Sequence, residues 1–195
     1  MVIGNVCNTY QSNRFQSIGR SNQTDNSVFR DVMKNAAADS AVGTTYTIRG
    51  AFDKSEGRVV GASGGVNNSY TVYEPKDFDP EHPMYKVKIW DEDGNATEHM
   101  VDLSEVSSEN SSYIDMYAKS CYLSASGECT DAQTTFMIVG NSSRGATERT
   151  YDSLFEKGNW MDRIRDFASM QYKAGNLEGY LRYRSVWEYL LNSGR

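Results

Sequence analysis

The hydrophobic and polar positions change period along the chain. Residues 1–24 carry few apolar side chains and no period among their Asn, Ser, Gln, Thr and Arg residues. Such a stretch buries too little to offset its ordering entropy, so it reads as a flexible polar tail. After Ser27, a plausible N-cap, Val28, Phe29, Val32, Met33 and Ala36 recur at spacings of three and four. That pattern predicts a short helix ending at Gly43.

From Thr44 the period becomes two. TTYTIRGAF, the turn DKSEG and RVVGA read as a first hairpin. Gly61, Gly64 and Gly65 read as a loose connection to NSYTVYEP, another strand. MYKVKIW places Tyr85, Val87 and Ile89 on one face and Met84, Lys86, Lys88 and Trp90 on the other. ATEHMVDL is its expected partner. Strands cease near residue 103, and spacings of three and four return. Ser112 with Asp115 resembles a capping box, and Ile114, Tyr117, Ala118, Cys121 and Ala125 form a stripe up to Gly127. Thr130 with Gln133 starts DAQTTFMIV. Trp160, Met161, Ile164, Phe167 and Ala168 make one face of a longer helix, which KAGN ends. In the last helix Leu177, Tyr180, Leu181, Trp187, Leu190 and Leu191 make a broad apolar stripe.

Strands first and helices later predict an α+β fold: an antiparallel sheet over about 44–103 packed against helices over about 112–192. Residues 25–195 are expected to form one domain. The length of 195 residues allows a real core, and 13 tyrosines make the folded part aromatic-rich.

Charge sharpens the picture. The net charge is −6, but residues 1–49 carry +2, residues 50–140 carry −10 and residues 141–195 carry +2. An acidic middle argues against gripping phosphate backbones, so no nucleic-acid partner is expected. No run approaches the roughly 20 apolar residues of a membrane span. The start of the sequence lacks the pattern of a cleaved secretory signal. A cytoplasmic address is expected, with export lacking a cleaved signal as the alternative.

Candidate chemistry is sparse. No phosphate loop, nucleophile elbow, H-E-x-x-H or C-x-x-C motif is present, so no catalytic residues and no cofactor are expected. Asp91, Asp93 and Asn95 with Asp102 match part of a calcium loop, but Gly94 stands two places early. Asp93-Gly94 suits a two-residue type I′ turn better, which leaves these four residues as weak surface candidates for a cation. His82 lies in an acidic loop, and His99 reads as an exposed strand residue. Cys121 reads as a core thiol. Cys129, ahead of a helix start, is the better nucleophile candidate, and a Cys121–Cys129 pair stays open. Arg184 interrupts the apolar stripe of the last helix. It reads either as an arginine lying along the core edge with its head in water or as an anion or carboxylate contact in a groove lined by Tyr180, Tyr183 and Trp187, and Glu188 stands four residues on.

The stretch YEPKDFDPEHPMYKVKIWDEDGNATEHMVDLSEV, continuing into YIDMYAKSCYLSASGECTDAQTTFM, resembles an uncharacterised family of bacterial proteins over residues 70–140. The resemblance implies a bacterial origin and brings no catalytic residues. The polar start is similar in composition to bacterial proteins exported without a cleaved signal, such as flagellar parts. These readings together favour a non-enzymatic interaction or structural protein with a protein partner. The alternative is an enzyme or small-ligand binder using a pocket between sheet and helices, with Arg184 or Cys129 as its polar feature.

Overall fold

The computed structural model describes residues 47–65, 67–142 and 149–193. The expected tail and the helix after Ser27 lie outside them.

Four strands form an antiparallel meander: β1 (Arg58–Gly64), β2 (Ser69–Glu74), β3 (Met84–Trp90) and β4 (Ala96–Asp102), in that spatial order. Helices follow: α1 (Tyr113–Ala125), α2 (Ala132–Ser142), α3 (Trp160–Lys173) and α4 (Leu177–Ser193). A short ladder of β5 (Ser111–Ser112) and β6 (Lys157–Gly158) ties the start of α1 to the approach to α3. The fold is therefore α+β, a four-stranded antiparallel sheet followed by helices.

The period-two pattern decides which sheet face is buried. Tyr70 pairs with Ile89 and Val72 with Val87 across β2 and β3, and all four are buried beneath the helices. Tyr113 and Tyr117 of α1, Phe136 of α2 and Trp160 of α3 close over them. Tyr70 meets Tyr117 edge-on at 5.2 Å, and Phe136 meets Trp160 at 5.1 Å. The Trp160 indole nitrogen donates to the Ser111 carbonyl at 2.9 Å, which satisfies its one polar atom.

The first hairpin is not formed as expected. Residues 47–57 cross the outer face of the sheet without strand structure, and β1 begins only at Arg58. Side chains of β2 take this backbone instead. The Ser69 hydroxyl accepts from the Arg49 amide at 2.7 Å, and the Thr71 hydroxyl donates to the Arg49 carbonyl at 2.6 Å. The Tyr73 hydroxyl donates to the Gly50 carbonyl at 2.9 Å. Gly50, at φ 74°, makes the turn that breaks the alternation. Glu56 then reaches down to Lys86 at 2.9 Å and Lys88 at 3.2 Å. Two of the glycines expected in a loose connection, Gly61 and Gly64, lie inside β1, where the pairing register shifts between Val59 and Gly61.

The helix starts follow their caps. Ser112 accepts from the Asp115 amide at 3.1 Å, as the pattern predicts. Gly127, at φ 79°, ends α1. The Gln133 amide, however, donates to Ser124 Oγ at 2.9 Å, so α2 is tied to α1.

Candidate functional site

Helices α3 and α4 form an antiparallel hairpin. Gly175, at φ 73°, turns the chain, and Asn176 accepts from the Gly179 amide at 3.0 Å to cap α4. Each helix buries one stripe. In α3 it is Trp160, Met161, Ile164 and Ala168, as expected. In α4 the deepest apolar positions are Tyr183, Val186 and Leu190. The expected stripe is rotated too far: Leu177 and Leu191 are exposed.

This rotation corrects one candidate. Tyr183 is buried and packs on Phe167 with ring centroids 5.7 Å apart, so it belongs to the core and not to a groove. The other three stay together. Tyr180, Arg184 and Trp187, at i, i+4 and i+7, face Arg165, Ser169 and Tyr172, also at i, i+4 and i+7. Between them runs an open groove of about 300 Å³. Tyr172 and Tyr180 meet at 5.2 Å. Arg184 Nε donates to Glu188 at 2.7 Å, as the spacing predicts, and Nη1 donates to the Tyr180 hydroxyl at 3.4 Å. Arg165 pairs with Asp162 at 2.8 Å and with Asp166 at 3.4 Å. Arg165 and Tyr172 are groove residues that the sequence reading misses. Their spacing on α3 repeats that of α4, and this is the signal that could have found them.

The acidic turn is a hairpin turn of a different kind from the one expected. The Gly94 amide donates to the Asp91 carbonyl and the Asp91 amide to the Asn95 carbonyl, both at 3.1 Å. Gly94 takes a positive φ, 86°. This is a three-residue loop closed by a left-handed glycine. The Asp91 carboxylate accepts from the Asn95 amide at 2.8 Å and from its side chain at 3.0 Å. Asp102 stands at the far end of β4, roughly 20 Å along the strand, and accepts from Ser104 at 2.9 and 2.6 Å. Asp91, Asp93, Asn95 and Asp102 therefore do not converge. Among the described residues no group of three His, Cys, Asp or Glu side chains is placed to hold a metal ion.

The two candidate cysteines do not pair with each other. Cys121 is free and buried, and burial pushes its thiol up to about 12. Cys129 is disulfide-bonded, which removes it as a nucleophile.

His99 is not an exposed strand residue. It lies on the inward face of β4 and its Nε2 is 2.7 Å from Asp115 Oδ1. Asp115 Oδ2 accepts from the Ser112 hydroxyl at 2.6 Å. Burial raises the Asp115 carboxyl, but the bonds to His99 and Ser112 outweigh it and hold it below the usual carboxylate range. The carboxylate stands between histidine and serine. A nucleophile triad places the histidine in the middle, so this arrangement does not activate Ser112.

A cleft of about 620 Å³ lies between the 104–109 loop, Lys119 of α1 and the end of α4. Burial lowers the Lys119 ammonium, which donates to the Val106 carbonyl. The cleft contains neither Arg184 nor Cys129.

Comparison with protein families, curated proteins and solved structures finds no match. No helix among the described residues is long and apolar enough to cross a membrane.

Proposed function

We propose that this chain is a non-enzymatic protein-interaction domain that grips its partner along the α3–α4 groove. One observation carries the reading. The two helices already bury an apolar stripe each, yet beside those stripes they present exposed Tyr172 and half-buried Tyr180 and Trp187 next to Arg165 and Arg184. Aromatic side chains and arginine dominate interface energetics because they cover large areas at low entropy cost. The arginines are held by solvent-accessible carboxylates about one turn away. Such pairs contribute little, so a partner carboxylate can exchange with them. The groove therefore suits a segment that presents an apolar side chain flanked by acidic ones.

A peptide display library tests this. Selected sequences should place Asp or Glu around an apolar anchor, and selection should collapse on a Trp187→Ala, Arg184→Glu double variant. Equal enrichment on both proteins overturns the assignment.

A second reading rests on the Lys119 cleft. Its size suits a small molecule, and a half-buried ammonium bonded to a carbonyl offers a counter-charge. Glu105 and Glu109 line the same cleft, so a ligand there would be zwitterionic.

A further inference from the structure

Arg149 is 6% exposed, yet among the described residues no carboxylate lies within ion-pair distance of it. Its guanidinium lies over the Tyr113 ring, 3.6 Å from the centroid, and Nη2 donates to the Gly140 carbonyl at 2.6 Å. Nε is buried and has no acceptor among the described residues. Arginine cannot shed its proton to escape burial. A buried cation without a counter-charge is strongly unfavourable, and a ring face and one carbonyl offset only part of that.

The described surroundings supply hydrogen-bond donors and no acidic side chain. Arg149 lines a small cavity of about 10 Å³ with Ser63, Asn68, Tyr70, Asn141 and the Gly64–Gly65 backbone. That volume fits about one water-sized particle. Asn68 spends one amide hydrogen on the Arg149 carbonyl and keeps a second. Asn141 turns its oxygen to the Tyr113 hydroxyl at 3.5 Å, leaving its amide hydrogens for other acceptors. The Tyr113 and Tyr70 hydroxyls are 2.9 Å apart and satisfy each other. Among the described residues no acidic side chain lines the cavity.

We propose that this cavity binds a single monatomic anion, a halide such as chloride, as the counter-charge of Arg149. The Arg149 guanidinium supplies the charge, and the spare amide hydrogens of Asn68 and Asn141 complete the shell. The small volume excludes phosphate, sulfate and carboxylate ligands. The site is separate from the α3–α4 groove and does not depend on the function assigned there.

The test is thermal unfolding of the full chain, titrated with sodium chloride or sodium bromide against sodium gluconate at constant ionic strength. Halides should raise Tm along a saturable curve, while gluconate, too large to enter, should not. A bromide-soaked crystal should show an anomalous peak beside Arg149. Asn141→Asp keeps the acceptor oxygen and places a fixed carboxylate in the cavity wall. Its Tm in gluconate should reach the wild-type value in chloride, with the halide response gone. Equal wild-type curves in halide and gluconate, with an ordered water and no bromide at Arg149, would overturn the proposal. A folded Asn141→Asp protein that kept the full halide response would overturn it too. If that variant does not fold, the wild-type titration and the bromide map decide the question alone.

Discussion

His99 Nε2 and Asp115 Oδ1, 2.7 Å apart, join the edge strand β4 to the first turn of α1. Asp115 also completes the cap of that helix through Ser112. One carboxylate thus holds a sheet edge and a helix start together. Because its folded pKa is depressed, it favours the folded state above its unfolded pKa. That contribution is lost as pH falls through the folded value, below about pH 4. Asp115→Asn should cost about 1–2 kcal/mol at neutral pH. Other carboxylates also titrate there, so the readout is the difference between wild-type and variant urea midpoints. The difference should shrink steadily as pH is lowered from about 5 to about 2. A difference that stays constant across that range would contradict the assignment.

Gly61 lies where β1 passes closest to α1. A Cβ there would collide with Cys121 Sγ and come within 2.8 Å of Gln133 Nε2 and 3.1 Å of the Tyr117 hydroxyl. Gly61→Ala should cost about 1–3 kcal/mol by overpacking. Cys121→Ala removes the sulfur, so the double variant should be more stable than the sum of the single losses, by at least about 0.5 kcal/mol. Chemical denaturation of the four proteins measures this coupling. Strict additivity would mean that the helix moves away as a body.

The alternation of Tyr85, Val87 and Ile89 makes β3 legible from the sequence, because a half-buried strand repeats every two residues. The stripe of Trp160, Ile164 and Ala168 does the same for α3. Residues 47–57 defeat that reading. TTYTIRGAF alternates, but Ser69, Thr71 and Tyr73, some twenty residues on, capture its backbone through their side chains. Period cannot show such a long-range competition. In α4 the apolar stripe is broad, so Tyr183, Trp187 and Leu191 compete for the core, and packing on Phe167 decides in favour of Tyr183. The His99–Asp115 bond is hidden for a related reason. Period two places His99 beside Val101 on the buried face, while a lone histidine reads more readily as a solvent residue.

The acidic turn carries a prediction about calcium. Asp91 is already bonded to Asn95, and Asp102 is held by Ser104. Binding a divalent ion would require both to be broken and the far end of β4 to be brought round. Millimolar calcium should therefore leave Tm unchanged in a thermal melt. A rise of several degrees would mean that the turn rearranges around the ion.

Tyr183 and Tyr172 differ by eleven residues and by the side of the hairpin they occupy, and this separates stability from binding. Tyr183 is buried against Phe167, whereas Tyr172 is 65% exposed in the groove. Tyr183→Ala should destabilise the fold by about 3 kcal/mol, in line with other large aromatic truncations in cores. Tyr172→Ser should stay within about 0.5 kcal/mol of wild type. For a peptide selected on the groove the order should reverse. Tyr172→Ser should weaken binding at least about tenfold, corresponding to about 1.4 kcal/mol at an interface anchor. Tyr183→Ala, measured at a temperature where it remains folded, should bind within about threefold of wild type. Urea denaturation and fluorescence anisotropy with a labelled peptide report the two quantities on the same samples. If Tyr172→Ser leaves binding intact, the aromatic groove is a solvent-facing seam between two helices and the contact surface lies elsewhere.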